Sequence, residues 1–498
     1  MIRFLRRKMQ GDRGAALLWV AGTLTVLLTT SAFAVDLGWV YLNNSRLQAA
    51  ADAAALAGVV NLPGFPTLAE ADASDAAASN GFPIAGTTTL ADAILDDNQY
   101  QVFLETDINT FFLKVIGMDS FRLAQDATAE YIKPVRLGSP DNTFGGPSVN
   151  FWAAINGRYT EIQQGDPYAA QCQSVNNIAS SPGCNGAINP LYRAGGYYYA
   201  VEVGSGSSNL SVQFYDGGHY VRGDCGGGSC SGTSNPGDTS WAWGWPSGQR
   251  GVQLQYRLYA PDTTPNDPFD NSTQLCSNTF PTIADNTPAD PSSQVNNGHL
   301  NQWTGNRNCS VAGALTPGIY VLQLPSPLYE GSSKFGIRAT VGSGPAPKVY
   351  GLLDMSIHVN FDADEAEPYL AEVRPEHAGK VLEVDIWDLG DTNGDEEDSY
   401  IEFRDPMGGS SNPPACSWDS SNGLDSGGSI SDCYIEIGDQ RFNAAWLRVD
   451  IPIPDTYTCD ETTATGCWWK ILIHSEDQPT DRTTWTAKIT GDPVRLVD

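Results

Sequence analysis

"GYYYAVEVGSGSSNLSVQFYDGG", Gly196 to Gly218, holds two alternating runs of apolar and polar residues around a Gly/Ser turn. Alternation with a period of two predicts a pair of strands. The pattern returns downstream as "PYLAEV" (Pro368 to Val373) and "VLEVDIWDLGD" (Val381 to Asp391). In both copies the second run closes on an aromatic residue, an Asp and a Gly. "GIYVLQLPSP" (Gly318 to Pro327) and "KFGIRATV" (Lys334 to Val341) are then echoed by "WWKILIHSED" (Trp468 to Asp477) and "TWTAKITG" (Thr484 to Gly491). "FWAAING" from Phe151 and "MSIHVN" from Met355 fit as the opening strands of the two copies. The expectation is a mainly β chain with two tandem, jelly-roll-like β-sandwiches, residues 148–345 and 346–498, joined through "GSGPAPKVYG".

Composition agrees with short strands and turns: 51 Gly and 31 Pro among 498 residues. The formal net charge of −30 argues against nucleic acid as a partner, because phosphate neutralisation needs Lys and Arg. Such acidity suits a self-repelling extracytoplasmic surface or a divalent cation site. The ten cysteines all follow residue 171: Cys172, Cys184, Cys225, Cys230, Cys276, Cys309, Cys416, Cys433, Cys459 and Cys467. An even number, without paired CxxC spacing or a Cys/His cluster, reads as disulfides formed in an oxidising compartment. Pairing of sequence neighbours is the simplest connectivity.

The N-terminus has a different period. Arg3, Arg6, Arg7, Lys8 and Arg13 form a basic tail over residues 1–13, and the uncharged run Gly14 to Val35 follows, closed by Asp36. That run is long enough for one transmembrane helix, and the positive charges place its start in the cytoplasm with the bulk of the chain outside. "SAFA" (Ser31 to Ala34) ends in an Ala-x-Ala pattern, so a cleaved signal peptide is the competing reading. The absence of Gly and Pro from Trp39 to Ala57 instead extends the helix to Gly58, half in lipid and half in water.

In the projecting half, Val35, Leu42, Ala49 and Leu56 fall at seven-residue intervals. Leu42, Ala49, Ala50, Ala53, Ala54 and Leu56 are the candidate assembly residues. Alanine keeps the helix intact and thin, so a neighbouring subunit or the chain's own domain can approach.

"DRGAALLWVAGTLTVLLTTSAFAVDLGWVYLNNSRLQAAADAAALAG" (Asp12 to Gly58) resembles the N-terminal module of Tad-like proteins, the TadE/TadG-type group of Flp pilus (tight-adherence) assembly. "NTFFLKVIGMDSFRLAQDATAEYI" (Asn109 to Ile132) resembles the end of the same module. The resemblance implies a membrane-anchored, pilin-like α/β module over residues 36–133, working with pilus or secretion subunits or with copies of itself. Two family features are missing: the Glu that follows the processing glycine of type IV prepilins, and the Asp-x-Ser-x-Ser metal loop of some TadG-type proteins. "DMSIH" from Asp354 is the nearest approach to that loop and reads as a strand. Residues 134–147, rich in Gly, Pro and Asn, read as a linker.

Three further motifs carry chemistry. Asp391, Asn393 and Asp395 alternate, and Glu402 is twelfth from Asp391, as in a calcium loop. Glu396 where that loop needs Gly breaks the EF-hand pattern, leaving a strand-connecting calcium site or a plain acidic turn. Trp241, Trp243 and Trp245 share one face of a strand, either as a platform for a surface glycan or as core. "GDCGGGSC" reads as a tight disulfide loop and lacks the Gly-Lys-Ser/Thr of a phosphate loop. No HExxH and no GxSxG occurs, and the five His form no catalytic constellation, so the chain reads as non-catalytic.

Overall fold

A computed structural model describes residues 12–62, 66–96, 99–131, 135–147, 149, 151–173, 187–216, 219–221, 238–240, 254–262, 268–271, 273–280, 302–303, 308–328, 331–359, 365–389, 399–406, 415–429, 432–438, 441–474, 482–490 and 494–497. They divide into two units, residues 1–133 with 492–498, and residues 134–491.

The first unit is built on α1, one helix from Asp12 to Val59. At ~1.5 Å per residue its length is about 72 Å. A second helix, α2 (Pro66–Ser79), packs beside its far end. α2 stops where Gly81 takes a φ of 92°, with Gly81 N–H donating to Ala78 O and Phe82 N–H to Ala77 O. Strands β1 (Thr89–Asp96), β2 (Gln99–Asn109) and β3 (Ser120–Tyr131) follow as an antiparallel meander.

The fourth strand of this sheet comes from the other end of the chain. Val494–Val497 pairs antiparallel with β3, Val494 opposite Tyr131 and Val497 opposite Thr128. Pairing satisfies the outer backbone groups of β3, which would otherwise form an open sheet edge. The expected second sandwich, 346–498, is therefore too long by this strand. Residues 134–491 are an insertion between two neighbouring strands of the first unit.

The second unit confirms the repeat and changes the way it is joined. Tyr197–Val203 pairs with Gly318–Leu324, and at the equivalent place Tyr369–Glu372 pairs with Trp468–His474. Ser208–Asp216 pairs with Ser332–Thr340 just as Val381–Trp387 pairs with Arg482–Thr490. The two opening strands, Phe151–Asn156 and Asp354–Val359, then pair antiparallel with each other, Ile357 opposite Ala153. One sheet therefore runs through both copies, and one buried apolar cluster spans them, including Phe214, Phe335, Ile357, Val384 and Trp485. The expected division near residue 345 falls inside a single unit, because each opening strand completes the other copy's sheet edge.

Residues 135–147 are not a free spacer either. Val135, Leu137 and Phe144 are buried, and Leu137 bridges to Gly351, on the strand Lys348–Leu352 that pairs with Tyr197–Val203 of the first copy, and to Ala371 of the second. Arg136 donates to Glu202 at 3.0 Å and to Glu372 at 2.8 Å, so one side chain ties the two copies. Gly/Pro/Asn composition signalled turns, and the three buried apolar residues decided the packing.

Disulfides join Cys276 to Cys309, Cys416 to Cys433 and Cys459 to Cys467, with Cα separations of 6.0, 5.3 and 5.1 Å. Cys276 and Cys309 lie on strands of opposite sheets of the first copy; in the second, Cys416 lies on a strand of one sheet and Cys433 directly before Tyr434–Glu436 of the other. Cys172 is also disulfide-bonded. Cys184, Cys225 and Cys230 lie outside the described residues.

Candidate functional site: the anchoring helix and its clamped loop

The apolar half of α1 turns its large side chains outward: Leu17, Leu18, Trp19, Val26, Leu27 and Leu28 are all exposed. It is the one helix among the described residues long and apolar enough to cross a membrane. Its hydroxyls are satisfied within the helix. Thr23 donates to Trp19 O at 2.9 Å, Thr25 to Ala21 O at 2.8 Å and Thr29 to Thr25 O at 2.8 Å. Back-bonding of this kind removes the cost of placing Thr in hydrocarbon.

Asp36 marks the change of environment. Its side chain is fully buried, and it accepts three backbone hydrogen bonds from the segment after β2. Phe111 N–H donates to Oδ1 at 2.8 Å; Phe112 N–H and Leu113 N–H donate to Oδ2 at 2.9 and 2.6 Å. These are the free amides at the start of a short 3-10 turn, Leu113–Ile116. Burial works to raise the Asp36 carboxyl. The amides of Leu113, Phe111 and Phe112, together with the Lys114 charge, outweigh burial and hold the group below the usual carboxylate range. Trp39, one turn further along α1, contacts the Phe111 ring with centroids 5.4 Å apart.

Beyond Asn43 the helix presents small residues to its own sheet. Leu47, Ala50, Ala51, Ala54, Ala55 and Val59 are buried with Ala69 and Ala73 of α2 and Tyr100 and Val102 of β2. Gln48 donates to Asp126 O on β3 at 3.0 Å, and Gln125 of β3 to Asn44 at 2.8 Å. Gly58 permits the closest approach: a Cβ there would overlap the Tyr100 ring and lie 3.0 Å from Ala69 O.

The six candidate assembly residues are thus divided. Ala50 and Ala54 are buried in the module, Ala53 and Leu56 are half-buried, and Leu42 and Ala49 are exposed. The buried stripe runs one residue out of phase with the one expected from Val35, Leu42, Ala49 and Leu56, because Asp36 and Asn43 turn inward. Polar residues look outward-facing in a sequence until their partners are known. Here Asp36 meets three amides, and Asn43 donates to Trp39 O at 2.8 Å.

The other candidates are less fully placed. Asp391, Asn393, Asp395, Trp241, Trp243 and Trp245 lie outside the described residues. Glu402 is on the strand Tyr400–Arg404, where Arg404 pairs with it at 3.2 Å and with Glu367 at 2.6 Å. Asp354 and Ser356 fall in a strand, as "DMSIH" suggested, and the Asp354 carboxylate is paired with Arg193.

Residues 14–61 match the Tad family model, the TadE/G-like Flp pilus-assembly group. The match covers the apolar run, Asp36 and the alanine face of α1, and ends just past the helix. No curated protein and no solved structure matches the chain. The Tad-like segment fits a membrane-anchored, pilus-associated protein, and its helix is the part of the molecule that carries this assignment.

Proposed function

We propose that the protein is a non-catalytic structural subunit of a Flp (tight-adherence) pilus or a related secretion apparatus. Its N-terminus would lie in the cytoplasm, and the unit of residues 134–491 would be displayed outside the membrane. The observation that carries the reading is the division of α1: a lipid-compatible half, a buried Asp36 at the change, and a projecting half with one face committed to its own sheet. The opposite face, with Tyr41, Leu42 and Ala49 exposed, is left for packing against another helix. Basic residues before the span favour this orientation, and the disulfides favour an oxidising exterior.

The test is site-specific photocrosslinking in cells from Leu42 and Ala49, with the buried Ala50 as the internal comparison. Crosslinks from the first two positions to pilus or secretion subunits, or to second copies, support the reading. Absence of such products, together with binding of whole protein to a surface glycan in a calcium-dependent manner, would favour an adhesin that uses the Tad-like segment only as an anchor.

A further inference from the structure

We infer that the loop Phe111–Met118 is a second membrane contact, seated among the lipid headgroups where α1 leaves the bilayer. The inference rests on the reading of Gly14–Val35 as the membrane span. Asp36 is the first residue past that span and is bonded directly to the loop, so the loop is held at the level of the membrane surface. Its exterior is apolar: Val115 is 83% exposed and Ile116 70%, with Phe111, Phe112 and Met118 also exposed. This patch is continuous with the lipid-facing side chains of α1 through the Trp39–Phe111 contact. Contiguous exposed apolar surface in a soluble environment is unfavourable and marks an interaction face.

Two further features select lipid as the occupant. The loop leaves few backbone donors unmet, as a segment entering a low-dielectric interface requires. Besides the three amides held by Asp36, Val115 N–H donates to Phe112 O, Gly117 N–H to Lys114 O and Met118 N–H to Leu113 O. Thr110 closes the base, its hydroxyl donating to Met118 O at 2.7 Å and its N–H to Asp119 O at 3.0 Å. Lys114 is the one charged residue between Asn109 and Met118, and it is exposed. A lysine amid aromatic and aliphatic side chains is the composition of an interfacial segment, the ammonium reaching phosphate while the rest is buried.

The experiment uses the full chain in vesicles of phosphatidylcholine and phosphatidylglycerol, with an environment-sensitive nitrobenzoxadiazole label on V115C. L27C reports the span. L68C reports water, since Leu68 is exposed beside Ala69, which lies against Gly58 at the far end of α1. Unsubstituted protein gives the labelling background. The expected result is blue-shifted V115C emission, quenched more by a doxyl group near the headgroup than by one deep in the acyl chain. L27C should show the reverse order and L68C no quenching. A V115C label untouched by either quencher, with L27C quenched, overturns the inference and leaves the anchor intact. An unquenched L27C label overturns the anchor reading itself. A blue-shifted V115C label that ignores lipid quenchers and crosslinks to a second copy assigns the patch to protein and also overturns the inference.

Discussion

Asp36 and Leu113, 77 positions apart in sequence, are joined by a 2.6 Å hydrogen bond from the Leu113 amide to the Asp36 carboxylate. The bond fixes the end of the membrane-compatible half of α1 to the loop between β2 and β3. Replacement by Asn keeps the shape but turns an NH2 group toward amides that need acceptors. D36N is expected to lower the unfolding midpoint of the first unit, and D36A to lower it further, without moving that of residues 134–491. Hydrogen exchange at Phe111, Phe112 and Leu113 reads the effect directly. Because the folded carboxyl titrates below its ordinary value, its contribution is present above the unfolded pKa of about 3.9 and is lost as pH falls through the lower folded value. The exchange protection in wild type should therefore survive through the ordinary carboxylate range and fail only at lower pH, and in D36A should be absent at every pH.

Asp354 has the opposite sign. Burial raises its carboxyl, Arg193 opposes, and Asp166 raises it further, so the group is pushed up to about 6. The folded state then holds a proton that the unfolded chain has already released, and stability falls as pH rises from about 4 to about 6. The shift corresponds to at most about 3 kcal/mol. D354N costs the Arg193 ion pair above about pH 6, where the folded carboxyl is ionised, and removes this slope. Chemical denaturation of wild type and D354N at pH 4, 5, 6 and 7 checks it: parallel curves would show that another group carries the dependence.

Much of this architecture was legible. The long N-terminal helix, its apolar run and the paired strands of the two copies all followed from periodicity and turn residues. Four things were not, for physical reasons. The face of α1 depends on Asp36 and Asn43, whose inward orientation is allowed only by distant amides and a local carbonyl. The return of Val494–Val497 to β3 is a long-range pairing with no local signal. Residues 135–147 have turn composition and core packing at once. The apolar string Phe111 to Met118 resembled a module end, and its exposure could be recognised only after Asp36 was seen to hold it outward.

The shared sheet has a consequence for cooperativity. Ile357 opposite Ala153 places the copies in one ladder, and Tyr197 OH, from the first copy, hydrogen-bonds to Asp166 at 2.8 Å and contacts Thr484 of the second at 3.1 Å. Removing either inter-sheet disulfide, as C276S/C309S or C416S/C433S, should therefore destabilise residues 134–491 as one body. Loops of 33 and 17 residues predict a loss of about 3–4 kcal/mol in the chain-entropy estimate. Calorimetry of the full chain is the check. One shifted transition is expected for this unit; two separated transitions in either variant would show that the copies fold independently.

Gly58 tests the close packing of the alanine seam. Ala is the better helix former by about 1 kcal/mol, so propensity alone predicts that G58A stabilises α1. The added methyl would instead overlap the fully buried Tyr100 ring and would press on Ala69 O. Overpacking of a filled core costs about 1–3 kcal/mol, which outweighs the gain. G58A should lower the stability of the first unit, and G58A/Y100L, which removes the obstructing ring, should recover part of the loss. Denaturant unfolding followed by helix signal decides it: a stabilised G58A, or no recovery in the double variant, would show that α1 and β2 are not held at the distance the structure gives.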